Sequence, residues 1–292
     1  MSLTFEPLSA GIGVEVRGVD ISKPLDSETA TRIKDAWFEH CIILIRGQKL
    51  DHRQHVEFSR NFGELDNHDL IARLRDPHFH EILPVMKQKE GGRDLVVGRQ
   101  WHSDMQCSLY PPAGSLLRCE EIPPIGGDTM FANMYRAYDA LSDTMKKMLD
   151  GLYAIHDLRV AKHNRGQDPA EILKRTPPVA QPLVRVHPHT GKKALYVSEM
   201  TTAGIVGMSH SESQPILKFL FEHCVQPEFT YRHQWKVGDL IGWDNRCTLH
   251  LALADYDFNE PRRLYRTTML GEQSGYILDP NAVPQFTYDP RN

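Results

Sequence analysis

The chain has 292 residues, of which 40% are hydrophobic and 25% charged, ordinary values for a globular protein that can bury a sizeable core. Its formal net charge of −4 offers no bulk attraction to nucleic acid or acidic lipid, and no apolar run approaches the roughly 20 residues that span a bilayer. Small molecules are therefore the expected partners, with no nucleic acid and no membrane.

In chain order, an amphipathic helix is predicted over Ser27–His40, where Ala30, Ile33 and Trp37 recur at helical spacing. A buried strand, Cys41–Ile45, follows and ends at Gly47. Shorter patterns predict a helix over Asp51–Phe62 and another over Met134–Leu149, whose apolar stripe is Ala137, Tyr138, Leu141, Met145, Met148 and Leu149. A fourth helix is expected over Ser213–Cys224, with Ile216, Leu217, Leu220 and Phe221 facing inward. Phe229, Tyr231, His233 and Trp235 alternate with polar residues, Gly238-Asp239 turns the chain, and Leu240–Trp243 reads as a strand. The pattern predicts a mixed, mainly β fold, a sandwich or jelly roll with flanking α-helices, built as a single domain over residues 1–292.

Lys87–Gln100 contains Gly91-Gly92 and four Lys or Arg residues and is expected to form a lid loop, the alternative being a plain solvated connection. The start of the chain lacks the basic and apolar regions of a signal peptide. Cys41, Cys107, Cys119, Cys224 and Cys247 are scattered, with no CxxC pair, so neither a disulfide framework nor a cysteine zinc site is suggested. A cytoplasmic location is expected.

The chemistry concentrates in Trp101-His102-Ser103-Asp104-Met105. On a strand, residues i and i+2 share a face, so His102 and Asp104 could chelate one ion. His250 would complete two imidazoles and a carboxylate, the ligand set of a mononuclear non-haem iron site with one open face. A chain with 15 histidines produces HxD easily, and a satisfied histidine beside a surface aspartate is the other reading of the tripeptide.

Further motifs occur in order along the chain: Gly11–Asp20, Phe58-Ser59-Arg60-Asn61-Phe62-Gly63, Pro124-Ile125-Gly126-Gly127-Asp128-Thr129, His187–Lys192, Trp243-Asp244-Asn245-Arg246 and Arg262–Thr268. With Trp101–Asp104 they resemble the taurine and 2,4-dichlorophenoxyacetate dioxygenase family of Fe(II)- and 2-oxoglutarate-dependent oxygenases, over nearly the whole chain. The resemblance implies a double-stranded β-helix core. It also implies Fe(II) on His102, Asp104 and His250, with 2-oxoglutarate as cosubstrate and O2 as oxidant. Asp104 is present, so the halogenating relatives, which lack this carboxylate, are not the match.

By the same resemblance Thr129 and Arg262 would bind the distal carboxylate of 2-oxoglutarate, while Arg266 would meet the substrate anion or the region near the iron-bound carboxylate. Arg262 and Arg266 stand four apart on one strand face, with Arg263 and Tyr265 on the other. A bulge near Asn259-Glu260-Pro261 would exchange Arg262 and Arg263, and exposed arginines paired with acids such as Glu260 are the non-functional reading. His68 matches a family position near the prime substrate, an ordinary core histidine being the other reading. Trp243 and Asn245 are expected to support the His250 strand.

The implied reaction is hydroxylation of a small organic anion with release of succinate and CO2, followed by cleavage where the hydroxylated product is unstable. The framework from Phe229 to Cys247 favours an aryloxyalkanoate-like carboxylate over an alkylsulfonate. Gly98 falls where taurine-specific relatives carry a polar side chain, which argues against taurine. Members of the family commonly self-associate, so a homo-oligomer is expected. A Zn(II) hydrolase on the same ligands or a noncatalytic jelly-roll binding protein are readings of a different class, and neither gives Thr129 and Arg262 a task.

Overall fold

A computed structural model of the protein describes residues 2–86, 88–90, 93–95, 98–164 and 166–281. Strand Ile42–Ile45 shows how its layers arise. All four residues are buried, as a strand covered on both faces requires. Ile42 and Leu44 enter a core with Phe131, Trp243 and Leu249. Ile43 and Ile45, pointing the opposite way, enter a second core with Ile33, Trp37 and Phe58 from the helices.

Ile42–Ile45 belongs to a seven-stranded sheet in the order Thr4–Pro7, Val14–Arg17, Ile42–Ile45, Leu240–Asp244, Gly114–Glu121, Arg263–Met269, Leu83–Met86. A three-stranded sheet has Thr129–Asn133 at its centre, between Thr230–His233 and Thr248–Ala252. The two sheets meet through side chains, with the Phe131 and Trp243 rings 5.7 Å apart across the first core. A four-stranded sheet, Thr202–Ile205, Tyr153–His156, Val179–Pro182 and Tyr276–Ile277, completes the main framework. The result is the mixed, mainly β architecture with flanking helices that the sequence predicts.

The first helix spans Ser27–His40, capped by Asp26, with Ile33 and Trp37 buried as expected. The second is shorter than its pattern, His52–Ser59, and begins on a capping box formed by Asp51 and Gln54. The expected continuous helix over Met134–Leu149 is two helices, Met134–Asp139 and Asp143–Leu149. Ser142 breaks it by accepting a bond from the Met145 amide as a new N-cap, a local signal that the unbroken apolar stripe concealed. The last long helix starts three residues early, at His210, because Ser209 and Glu212 form a second capping box.

Within residues 87–100, Gln88–Glu90 and Arg93–Leu95 pair as an antiparallel hairpin, while 87, 91–92 and 96–97 lie outside the described residues. All five cysteines are buried and free. Among the described residues no helix is long and apolar enough to cross a membrane.

Candidate active site

His102, Asp104 and His250 converge, each offering a ligand atom within 4.8 Å of the others. The route to this differs from the regular strand predicted for the HxD. His102 forms a single antiparallel bridge with His250, its amide donating to the His250 carbonyl at 3.1 Å and receiving the reciprocal bond at 2.8 Å. The chain then turns at Asp104, and Met105 takes a left-handed backbone (φ 45°). The two imidazoles thus face each other with ring centroids 4.1 Å apart, and the carboxylate reaches them from the turn.

Each donor is oriented by its neighbours. His102 Nδ1 lies 2.7 Å from the Gln100 carbonyl, which makes that nitrogen the protonated one and Nε2 the one that would ligate. His250 packs against Trp243, with ring centroids 4.8 Å apart, and its Nε2 sits 3.8 Å from Asp104 Oδ1. Burial, reinforced by the charge of His102, pushes the His250 imidazole down to about 3, keeping it in its neutral, ligand-competent form. Burial would raise the Asp104 carboxyl, but Arg266, His250 and His102, with the Ser115 hydroxyl, outweigh it and hold Asp104 below the usual carboxylate range. Two imidazoles and one carboxylate fit Fe(II) at a site with open coordination positions.

Arg266 Nη1 donates to Asp104 Oδ1 at 2.9 Å, and Ser115 Oγ donates to Oδ2 at 2.9 Å. Ser115 was not singled out from sequence. It is fully buried, beside Trp243 in one neighbouring strand and Thr268 in the other, a juxtaposition that no local pattern announces. The Asn245 side chain accepts from Trp243 Nε1 at 3.0 Å and from the Asp104 amide at 3.3 Å, so the expected support role takes a specific form.

Thr129 lies one pleat from the metal triad. It pairs with Ala252 as Phe131 pairs with His250, placing Thr129 and His250 on the same face of adjacent strands. Its hydroxyl accepts from Trp235 Nε1 at 3.0 Å, which leaves its own proton to donate. Arg262 is 7% exposed, and its Nε and Nη2 both donate to the Gly127 carbonyl, at 3.2 and 3.0 Å. Among the described residues no carboxylate lies within hydrogen-bonding reach of Arg262, and burial pulls this guanidinium below its ordinary range. A buried guanidinium with no carboxylate in hydrogen-bonding reach, bonded two residues along the chain from a threonine that has a proton to donate, fits a dicarboxylate.

The register shift falls beyond Asn259-Glu260-Pro261, between Arg263 and Leu264, and Arg262 is the buried one of the two arginines. Arg262 points inward, while Arg263 is partly exposed and pairs with Glu121 at 3.3 Å. Glu260 pairs with neither. The Gly-Gly-Asp motif has a physical basis: Gly127 has φ +73°, and a Cβ there would lie 3.1 Å from Arg262 Nε. Asp128 is held by Arg232 Nε at 2.7 Å.

His68 is 4% exposed in a left-handed conformation (φ 54°), and its Nε2 has no hydrogen-bond partner among the described residues. Burial, and after it the charge of Arg266, lower its pKa, which places it in the field of the site. Gly98 receives the Ala252 amide at its carbonyl, and a Cβ there would come within 3.2 Å of His102 Cε1. Residues 87–100 therefore end against the metal triad.

A mainly β sandwich carrying two histidines and an aspartate, with a buried arginine awaiting a carboxylate, defines the 2-oxoglutarate-dependent oxygenase class. The family model described as taurine catabolism dioxygenase TauD, TfdA family matches residues 4–268. The chain belongs to this family and is a 2-oxoglutarate-dependent dioxygenase using Fe(II) and O2. It is 35% identical over 288 residues to the alpha-ketoglutarate-dependent 2,4-dichlorophenoxyacetate dioxygenase of Cupriavidus pinatubonensis, covering 93% of this chain and 99% of that one. Among solved structures, a taurine dioxygenase from Burkholderia xenovorans superposes with a TM-score of 0.81 at 36% identity, covering 97% and 99% of the two chains. AAD-2, solved in complex with Mn(II) and N-oxalylglycine, has a TM-score of 0.82 at 32% identity, covering 94% of this chain and all of that one, 100%.

Proposed function

We propose that the enzyme hydroxylates a small organic anion, an aryloxyalkanoate-like carboxylate ahead of an alkylsulfonate. In this reading His102, Asp104 and His250 hold Fe(II), Thr129 and Arg262 hold the distal carboxylate of 2-oxoglutarate, and Arg266 with His68 receives the substrate anion. Bound Fe(II) supplies oxygen activation coupled to 2-oxoglutarate: substrate C–H, O2 and 2-oxoglutarate become substrate C–OH, succinate and CO2.

The observation that carries the reading is Arg262, buried with no carboxylate in hydrogen-bonding reach among the described residues. A hydrolase using Zn(II) at the same ligands would leave that cation without a task. The preference for a carboxylate over taurine is supported by Gly98, which offers no polar side chain beside His102. It is supported too by the 2,4-dichlorophenoxyacetate relative, which matches over 93% of the chain.

Residues 1–292 act as one catalytic unit in this reading, with 87–100 as a lid, because that segment ends at Gly98 against His102. The five buried free thiols suit a cytoplasmic enzyme, and self-association belongs to the same proposal. Incubating Fe(II)-loaded protein with 2-oxoglutarate, O2 and a panel of aryloxyacetates and alkylsulfonates should give substrate-stimulated succinate. Absence of that stimulation, or its persistence in Asp104→Ala, would overturn the proposal.

A further inference from the structure

The two oxygens of Asp104 are held unequally. Oδ2 is fixed by Ser115, itself fully buried in the strand Gly114–Glu121. Oδ1, the oxygen 3.8 Å from His250 Nε2, is the one a cation shared with His250 would need, and Arg266 Nη1 occupies it at 2.9 Å. A guanidinium has five donors in a fixed fork. Arg266 makes one hydrogen bond to Asp104, and its buried Nε has no partner among the described residues. Arg262 differs, since two of its donors are anchored on the Gly127 carbonyl.

From this arrangement we infer that Arg266 couples substrate binding to metal binding. In the metal-free protein its guanidinium neutralises Asp104 Oδ1 in place of a divalent cation, and an incoming substrate anion, by taking over that guanidinium, frees the carboxylate. The inference rests on the assignment of the metal triad and adds a second task to Arg266. A charge exchanged between two ligands links their affinities, so the anion tightens metal binding by the same factor as metal tightens anion binding. The unused Nε–H makes the exchange feasible, because a substrate carboxylate or sulfonate can be gripped by two donors where Asp104 engages one.

The test titrates metal-free protein with Mn(II) under argon, reading free Mn(II) by its EPR signal, without 2-oxoglutarate and without turnover. Wild type should bind one Mn(II), and saturating phenoxyacetate or ethanesulfonate should tighten that binding by roughly fivefold or more. Arg266→Gln should bind Mn(II) at least about fivefold tighter than wild type with no anion added, and the anion effect should vanish. Arg262→Gln removes a buried positive charge that does not touch Asp104 and should leave Mn(II) affinity near the wild-type value.

Arg266→Gln binding Mn(II) no tighter than wild type, an anion effect that survives in that variant, or an equal gain in Arg262→Gln overturns the inference. If Arg266→Gln fails to fold, calorimetric titration of wild type with phenoxyacetate, with and without Mn(II), decides instead: equal reciprocal factors support the coupling, and absence of a factor overturns it. Failure of the triad itself reads out separately, as Mn(II) binding by Asp104→Ala equal to that of wild type.

Discussion

The side chain of Asn245 holds the amide of Asp104. Its Oδ1 accepts that N–H at 3.3 Å while also accepting Trp243 Nε1 at 3.0 Å, and its main-chain carbonyl takes the Ser103 hydroxyl at 2.7 Å. One residue therefore ties the HxD turn to the strand that precedes His250.

Asn245→Ala should loosen that turn more than it unfolds the protein. Losses of partners behind a metal ligand weaken metal affinity by roughly 10- to 100-fold, and a fall of that size is expected for Mn(II). Equilibrium dialysis checks it, with the thermal midpoint recorded in parallel. An unchanged Mn(II) affinity would show that Ser115 and Arg266 suffice to place the carboxylate.

Arg262 and Arg263 are neighbours with opposite expectations. On the proposed assignment Arg262→Gln removes a buried charge-assisted contact to 2-oxoglutarate, of the kind that contributes about 1.5–3 kcal/mol, so KM for 2-oxoglutarate should rise by roughly 10- to 100-fold. Arg263→Gln breaks a pair whose side chains are 42% and 40% exposed. Such surface pairs contribute little, and the same KM should stay within about twofold of wild type. Succinate formation measured against 2-oxoglutarate concentration separates the two.

Gly127 should resist even alanine. Its φ of +73° strains any L side chain, and the added Cβ would press on Arg262 Nε. Gly127→Ala should destabilise the protein by about 1 kcal/mol or more, and it should raise KM for 2-oxoglutarate in the same direction as Arg262→Gln. Urea unfolding and steady-state kinetics check the two effects. A stable variant with unchanged KM would refute the close packing of the motif on Arg262.

Acid should destabilise the metal-free fold through histidines far from any ligand role. His55 and His156 are fully buried, and burial pushes each from 6.5 down to about 3, with Arg118 and His52 adding to the effect at His55. Their folded values lie below the unfolded value. As pH falls below 6.5 the unfolded chain takes up protons that the folded chain refuses, and stability declines by about 1.4 kcal/mol per pH unit for each group until pH nears 3. Denaturant unfolding at pH 7, 6 and 5 should show this slope, and His156→Gln should reduce it by one group's share.

Much of this was legible in the residues, for identifiable reasons. The 3.6-residue period of Ala30, Ile33 and Trp37 locates the first helix, and the strand phase of Arg262, Arg263 and Arg266 sorts which arginine faces inward. Periodicity misled where a cap interrupts an unbroken apolar stripe, as Ser142 does between Met134 and Leu149. It misled again at the HxD, where a single bridge and a left-handed Met105 replace a regular strand. Ser115 and Trp235 escaped because each reaches its partner, Asp104 or Thr129, across strands that only the folded sheets bring together.

The reciprocal amide bonds between His102 and His250 give the site a form of memory. The spacing that a cation reads is kept by peptide groups on a single rung of ladder, not by the cation. Each loss and return of metal can therefore proceed with the imidazoles already facing one another, and what has to be rearranged is the charge on one carboxylate rather than the path of the chain.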